Sequence, residues 1–295
     1  MYRIFMSLRL CLFIFSLLSF SAWAHPYCEE RECIPVSEWE LGLAMGYGQK
    51  SNPLRQQDDI PLYVLPSIAY YGENWFFDNG SLGLTLAESE NYTINLVTAY
   101  SRERAFFYRW DPSNIFTFGS RSQISVAPQS RAVSVMSTPR NEPPKVFNEL
   151  EDRHFTFLGG AEAFIYTRYG TLNLSLTHDM FNVHRGTEAK ARWLYNLNWQ
   201  RWKLEFALNL EWKSKEIVDY YFGVRPSENA YWSQAYQGSS GFNRGLEFTG
   251  RYSLNEDWDL VLGLRYTQLA DEIAKSPLLD EDDVRTFFIG AAYRF

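Results

Sequence analysis

The segment Trp202–Trp212, WKLEFALNLEW, constrains this chain more than any other feature. Trp202, Leu204, Phe206, Leu208, Leu210 and Trp212 fall on one parity, and Lys203, Glu205, Ala207, Asn209 and Glu211 on the other. Successive side chains of a strand point to opposite faces, whereas a helix scatters such a pattern around its circumference. Ten residue steps in a strand span roughly 33 Å. Tilted by about 40°, that gives roughly 25 Å of height, the apolar band of an outer-membrane barrel, whose interfaces carry aromatic girdles.

The same design recurs along the chain. Strands are predicted near 37–48, 61–71, 74–86, 91–101, 154–168, 170–180, 190–199, 202–212, 242–254, 258–270 and 284–295. Closed barrels of this type have even strand numbers, so a twelfth strand is expected between Ser101 and Arg153, starting near Ala105. Short connections (Gln200-Arg201, Asn255–Asp257) alternate with long ones (213–241, 271–283), as periplasmic turns alternate with extracellular loops. Residues 120–151 have little periodicity and contain Pro128, Pro139, Pro143 and Pro144, which reads as an outer loop over the mouth or an extra hairpin. The expected fold is all-β: a transmembrane antiparallel up-and-down β-barrel of 12 strands. A soluble β-sandwich also alternates, but it turns its polar face to water rather than ending its strands in tryptophan.

Composition agrees. Aromatics make up 17% of the 295 residues, yet mean hydropathy is −0.32. Beyond the N-terminus no apolar run reaches the length of a membrane helix. A barrel strand is only half apolar, so this composition fits one. The formal charge of −7 excludes a typical nucleic-acid binder. Met1–Ala24 reads as a secretory signal: Arg3 and Arg9, the apolar stretch Leu10–Phe20, then Ala22-Trp23-Ala24 ahead of a cut between Ala24 and His25. The competing reading is a membrane anchor, for which the stretch is short. Losing two arginines takes the charge from −7 to −9. The expected organisation is a signal over 1–24, a periplasmic arm over 25–36 and a barrel over 37–295. Cys28 and Cys33 then remain in an oxidising compartment and read as a local disulfide. A metal site there would have only His25 as an additional ligand.

The chain ends Phe287-x-Ile289-x-Ala291-x-Tyr293-x-Phe295, alternating apolar residues with a terminal phenylalanine, as read by the barrel-assembly machinery of Gram-negative outer membranes. Tyr252-Ser253-Leu254, Asp257-Trp258, Gly263–Tyr266, Leu269-Ala270, Ser276-Pro277-Leu278 and Gly290–Phe295 resemble the C-terminal part of the MipA/OmpV family. Tyr220–Val224, Leu65-Pro66 with Tyr70, and Gly159–Glu162 fit it too. The resemblance runs from about Trp39 to the end and departs at Asn52-Pro53 and between Arg102 and Pro144. It implies a non-enzymatic outer-membrane barrel that scaffolds a murein transglycosylase and a murein synthase. Its other expected partners are outer-membrane lipid, lipopolysaccharide and the assembly machinery, with no nucleic acid.

No constellation for catalysis, cofactor or metal stands out. Ser175 and His178 lie on opposite faces of a predicted strand, while His178 and His184 flank one outer loop as a conceivable metal pair. The acidic run Asp280–Asp283 lacks the glycine-centred calcium-loop pattern. Trp199, Trp202, Trp212 and Trp258 are expected in an aromatic girdle. Arg192, Lys203, Glu205, Glu247, Arg251 and Arg265 are expected in the lumen, bridging across it or lining a polar path. A narrow small-solute channel and a surface adhesin using the aromatic loop around Tyr220, Tyr231 and Trp232 are the competing functions.

Overall fold

The computed structural model describes residues 37–117 and 150–295. The expected signal, the cut at Ala24–His25 and the Cys28–Cys33 bond lie outside the described residues. Among the described residues the chain forms twelve strands: β1 (Trp39–Lys50), β2 (Ile60–Tyr71), β3 (Trp75–Asp78), β4 (Ser81–Ser89), β5 (Tyr92–Tyr100), β6 (Phe157–Thr167), β7 (Gly170–Asp179), β8 (Thr187–Trp199), β9 (Trp202–Lys213), β10 (Gly241–Ser253), β11 (Trp258–Gln268) and β12 (Asp283–Arg294). Each pairs antiparallel with its sequence neighbours, and β1 pairs with β12 to close the barrel. The wall is thinnest at β3, which is four residues long and pairs with β2 only at Ala69–Tyr71, so residues 60–67 of β2 have no partner strand on that side among the described residues. No helix among the described residues is long and apolar enough to cross a membrane.

The closing seam depends on glycine. Gly46 of β1 faces Gly290 of β12, and a Cβ on Gly46 would sit 2.1 Å from the Ile289 carbonyl oxygen. No side chain fits there without moving a strand.

Two expectations about the strands are corrected. The single strand predicted over 74–86 is a hairpin: β3 and β4 are joined at Asn79-Gly80, whose φ angles of +48° and +89° are those of a type I′ turn. The strand expected near Ala105 does not form. Glu103–Phe106 is a 3₁₀ turn, and α1 (Pro112–Ile115) follows. Asp111 caps α1 by accepting the Ser113 N–H at 3.0 Å, and Pro112 presets the first helical φ. The total of twelve stands, but β5 runs opposite to the predicted direction.

Apart from the β3–β4 turn, long connections gather at the end taken as extracellular and short turns at the other. The loops carry α2 (Lys215–Phe222), α3 (Trp232–Ala235) and α4 (Asp271–Ala274). They bury an apolar core of their own: Ile217, Val218, Tyr221 and Phe222 of α2 pack with Leu54, Leu269, Ile273, Leu278, Leu279 and Val284, and Phe106 and Phe107 lie against them. This core caps the outer mouth. A second apolar cluster, Ala44, Ile60, Leu62, Leu65, Val261, Phe288 and Ala292, fills the interior along β1, β2, β11 and β12. The lumen is therefore not polar throughout.

Candidate functional site

The charged interior residues expected from the sequence stand on one wall, β8 to β11, while Glu40 and Lys50 of β1 and Glu162 of β6 also face inward. Arg192, Lys203, Glu205, Glu247, Arg251 and Arg265 share inward parity. The Arg192 Nη2 donates to Glu205 Oε1 at 3.0 Å and lies 3.5 Å from Glu247. Arg265 donates to both Glu247 oxygens, from Nε at 3.2 Å and Nη2 at 3.0 Å. These bridges run along the wall between neighbouring or next-neighbouring strands rather than across the lumen. Alternating charge on adjacent strands pairs Arg192, Glu205, Glu247 and Arg265 locally.

A second network ties this wall to the cap. Lys213, at the outer end of β9, is 1% exposed. Its Nζ contacts Glu103 of the 3₁₀ turn, Glu188 of β8 at 2.5 Å and Glu211 at 3.2 Å. Lys190 contacts Glu188 and, at 3.2 Å, Glu211. Burial opposes the charge of Glu103, yet the Lys213 ammonium holds its carboxyl below the usual range. Glu103, Glu188 and Glu211 approach one another within 4.8 Å, close enough to hold a metal. The Lys213 ammonium already stands among them, and its charge disfavours a second cation there. Nearby, Lys50 donates to Asn114 Oδ1 at 3.0 Å and lies over the Phe106 ring. The described stretch 103–114 that follows β5 is thus pinned into the mouth from two sides.

The upper cap has its own buried pair. Arg153 donates from Nη1 to Glu228 Oε1 at 2.7 Å and to the Glu151 carbonyl at 2.8 Å, and from Nη2 to the Gly223 carbonyl at 3.2 Å. Both side chains are fully buried. His184 lies against Tyr220 and Tyr221, and its Nδ1 accepts the Gly186 N–H at 2.9 Å. Burial pushes its imidazole below the ordinary range, so it sits there neutral.

Ser175 and His178 do point to opposite faces. His178 contacts Thr187 on the outer face while His184 is buried in the cap, so the two histidines do not meet. Asp280 pairs with Arg55 at 3.0 Å and Asp283 with Arg285 at 2.9 Å, so the acidic run is partly neutralised by protein. Trp199, Trp202 and Trp258 are exposed on the outward face at the inner end, and Trp212 is half-buried at the outer end. Tyr220 and Trp232 pack on the cap core, while Tyr231 is exposed. Phe287, Ile289 and Phe295 are exposed outward, and the Tyr293 ring lies tilted against Trp258 with centroids 5.0 Å apart. The pairings of Lys50, Glu103, Arg153 and Glu228 carry no signal in the sequence, because the partners come from segments far apart in it.

The sequence profile of the family described as "MltA-interacting protein MipA" matches residues 41–295. The chain belongs to this family. It is similar to MltA-interacting protein of Escherichia coli strain K12, 25% identical over 260 residues that cover 88% of this chain and 92% of that one. YiaT, a putative outer membrane protein of the same strain, is 22% identical over 87% of this chain and 91% of its own length. The outer membrane protein OmpV of Vibrio cholerae is 26% identical over 50% of this chain and 57% of its own length. This MipA-family member is an outer-membrane β-barrel.

Proposed function

We propose that this chain is a non-enzymatic scaffold of the outer membrane that engages murein enzymes from the periplasmic side. One observation supports it most directly. Inward residues of β8 become more exposed toward the inner end: Glu188 is buried, Lys190 and Arg192 are partly covered, and Asn196 and Asn198 are exposed. With the outer mouth capped, the polar side chains at the inner end of β8 are the part of the interior that faces the periplasm. The inner turns are two to four residues long and offer little surface, so in this reading the inner end of β8 and the arm 25–36 meet the partner. The name of the Escherichia coli relative points to a murein transglycosylase as partner, and the family resemblance adds a murein synthase. In this reading residues 1–24 direct export, Cys28 and Cys33 bond in the arm, the C-terminal Phe287–Phe295 alternation is the assembly signal, and the outward tryptophans form the girdle.

Affinity capture from cross-linked envelopes tests it. The intact protein is expected to recover a murein transglycosylase, and N196R/N198R or removal of 25–36 is expected to reduce the yield. Consistent absence of murein enzymes overturns the proposal.

A further inference from the structure

The outward face near the outer rim carries several polar side chains, and most are satisfied by protein. His178 Nδ1 is 2.9 Å from Thr187 Oγ1. Gln49 donates to Asp59. The Tyr266 hydroxyl donates to Gln268 Oε1 at 2.7 Å, and Gln268 Nε2 donates to the Asp282 carbonyl at 2.9 Å. Arg285 donates to Asp283 Oδ2 from Nε at 3.1 Å and Nη2 at 2.9 Å. Arg244 differs. It is exposed, shares outward parity with Phe242 and Leu246, and has no ion pair or side-chain hydrogen bond with any described residue.

Its surroundings on β9 and β10 are apolar, and Gln268 lies directly opposite it on β11. Phe242 and Leu246 flank it on β10, 52% and 58% exposed, and Leu210 of β9, 43% exposed, lies directly opposite. Trp212 is opposite Phe242. Arg244 is eight residue steps above Tyr252, which contacts Trp202 at the inner end. Those steps correspond to about 20 Å of height in a band of about 25 Å. The guanidinium thus reaches the outer boundary of the hydrocarbon, where an unpaired charge is tolerated only if it finds an anion or water.

We propose that Arg244 is a binding residue for a phosphate of the outer-leaflet glycolipid, with Phe242, Leu246 and Leu210 against its acyl chains. The planar fork of arginine matches a phosphate bidentately. Glu281, Asp282 and Asp283 crowd the β12 side of Tyr266, and Arg285 is already engaged there. The phosphate therefore approaches over β9 and β10, away from those carboxylates. The inference rests on the outer-membrane location and not on the scaffold reading.

Native mass spectrometry of the purified barrel tests it, with three probes: bisphosphorylated lipid A, its dephosphorylated form and phosphatidylglycerol. Wild type is expected to retain lipid A best. Arg244→Gln is expected to weaken that binding roughly tenfold, as for loss of one charge-assisted hydrogen bond. Arg244→Lys is expected to keep part of it, and Arg201→Gln at an inner turn to keep all of it. Heat-modifiable gel mobility confirms that each variant is folded. Equal retention of lipid A by Arg244→Gln, or equal binding of the dephosphorylated form, overturns the site. Equal binding of phosphatidylglycerol overturns the assignment to the glycolipid.

Discussion

Replacing Arg153 by methionine isolates what holds the cap shut. Methionine keeps much of the arginine stem and removes the guanidinium. Glu228 then keeps its backbone donors, the N–H of Arg225 at 2.8 Å and of Glu151 at 2.9 Å, but loses its only buried cationic partner among the described residues. The carbonyls of Glu151 and Gly223 lose their donor as well. Breaking a buried ion pair from one side costs about 3–5 kcal/mol. The two remaining backbone donors place this case near 3 kcal/mol by the same principle. The twelve-strand ladder does not include Arg153, so the loss is local. Hydrogen exchange of peptides within 214–240 is therefore expected to accelerate by roughly a hundredfold, while the temperature of the heat-modifiable gel shift stays unchanged. Removing both charges, as R153M/E228L, is expected to cost much less than R153M alone, because no uncompensated charge stays buried. An acceleration below threefold in R153M, or a double variant worse than the single one, would refute the reasoning.

Further outcomes follow from the same structure. Burial lowers the His184 imidazole, so its folded value lies below the unfolded one near 6.5 and protonation favours the open cap. Glu228 behaves alike in sign: burial alone would raise its carboxyl, but Arg153 and the backbone N–H groups outweigh this and lower it. Its contribution is full above its unfolded value of about 4.3 and is lost as pH falls through the folded value. Exchange in the cap, corrected for intrinsic rates, is expected to rise in two steps on acidification, and a flat profile between pH 7 and 3 would contradict both assignments. Gly46→Val places a side chain where the Ile289 carbonyl stands, so it is expected to abolish the heat-modifiable form in refolding assays. Gly80→Val forces a β-branched residue into φ of +89°, at a cost of about 1–3 kcal/mol, read as a lower gel-shift temperature. Because the cap closes the outer mouth, wild-type protein in planar bilayers is expected to show no conductance steps, and deletion of 215–235 is expected to produce them.

The outward half of this molecule could be read directly from sequence. Period two is a local property of strands, so the outward parity of Trp202, Leu204, Phe206 and Leu208 followed without knowing any neighbour. One local signal was available but unread. Outward parity switches from odd at Trp75 and Phe77 to even at Leu82, Leu84 and Leu86, with Asn79-Gly80 between them. A two-residue turn causes that switch, and reading it would have placed the twelfth strand in the right part of the chain.

The alternation and its aromatic ends thus determined, by sequence alone, that the chain closes into an outer-membrane barrel and which side chains meet lipid. Tertiary structure alone decided what fills and caps that barrel. Glu103 meets Lys213 across 110 residues, Arg153 meets Glu228 across 75, and Arg192 bridges along the wall to Glu205 and Glu247. Periodicity gives the direction of a side chain but not its partner. A partner is set by strand register and by how loops of different length fold over the mouth, and neither has a repeating signature in the chain.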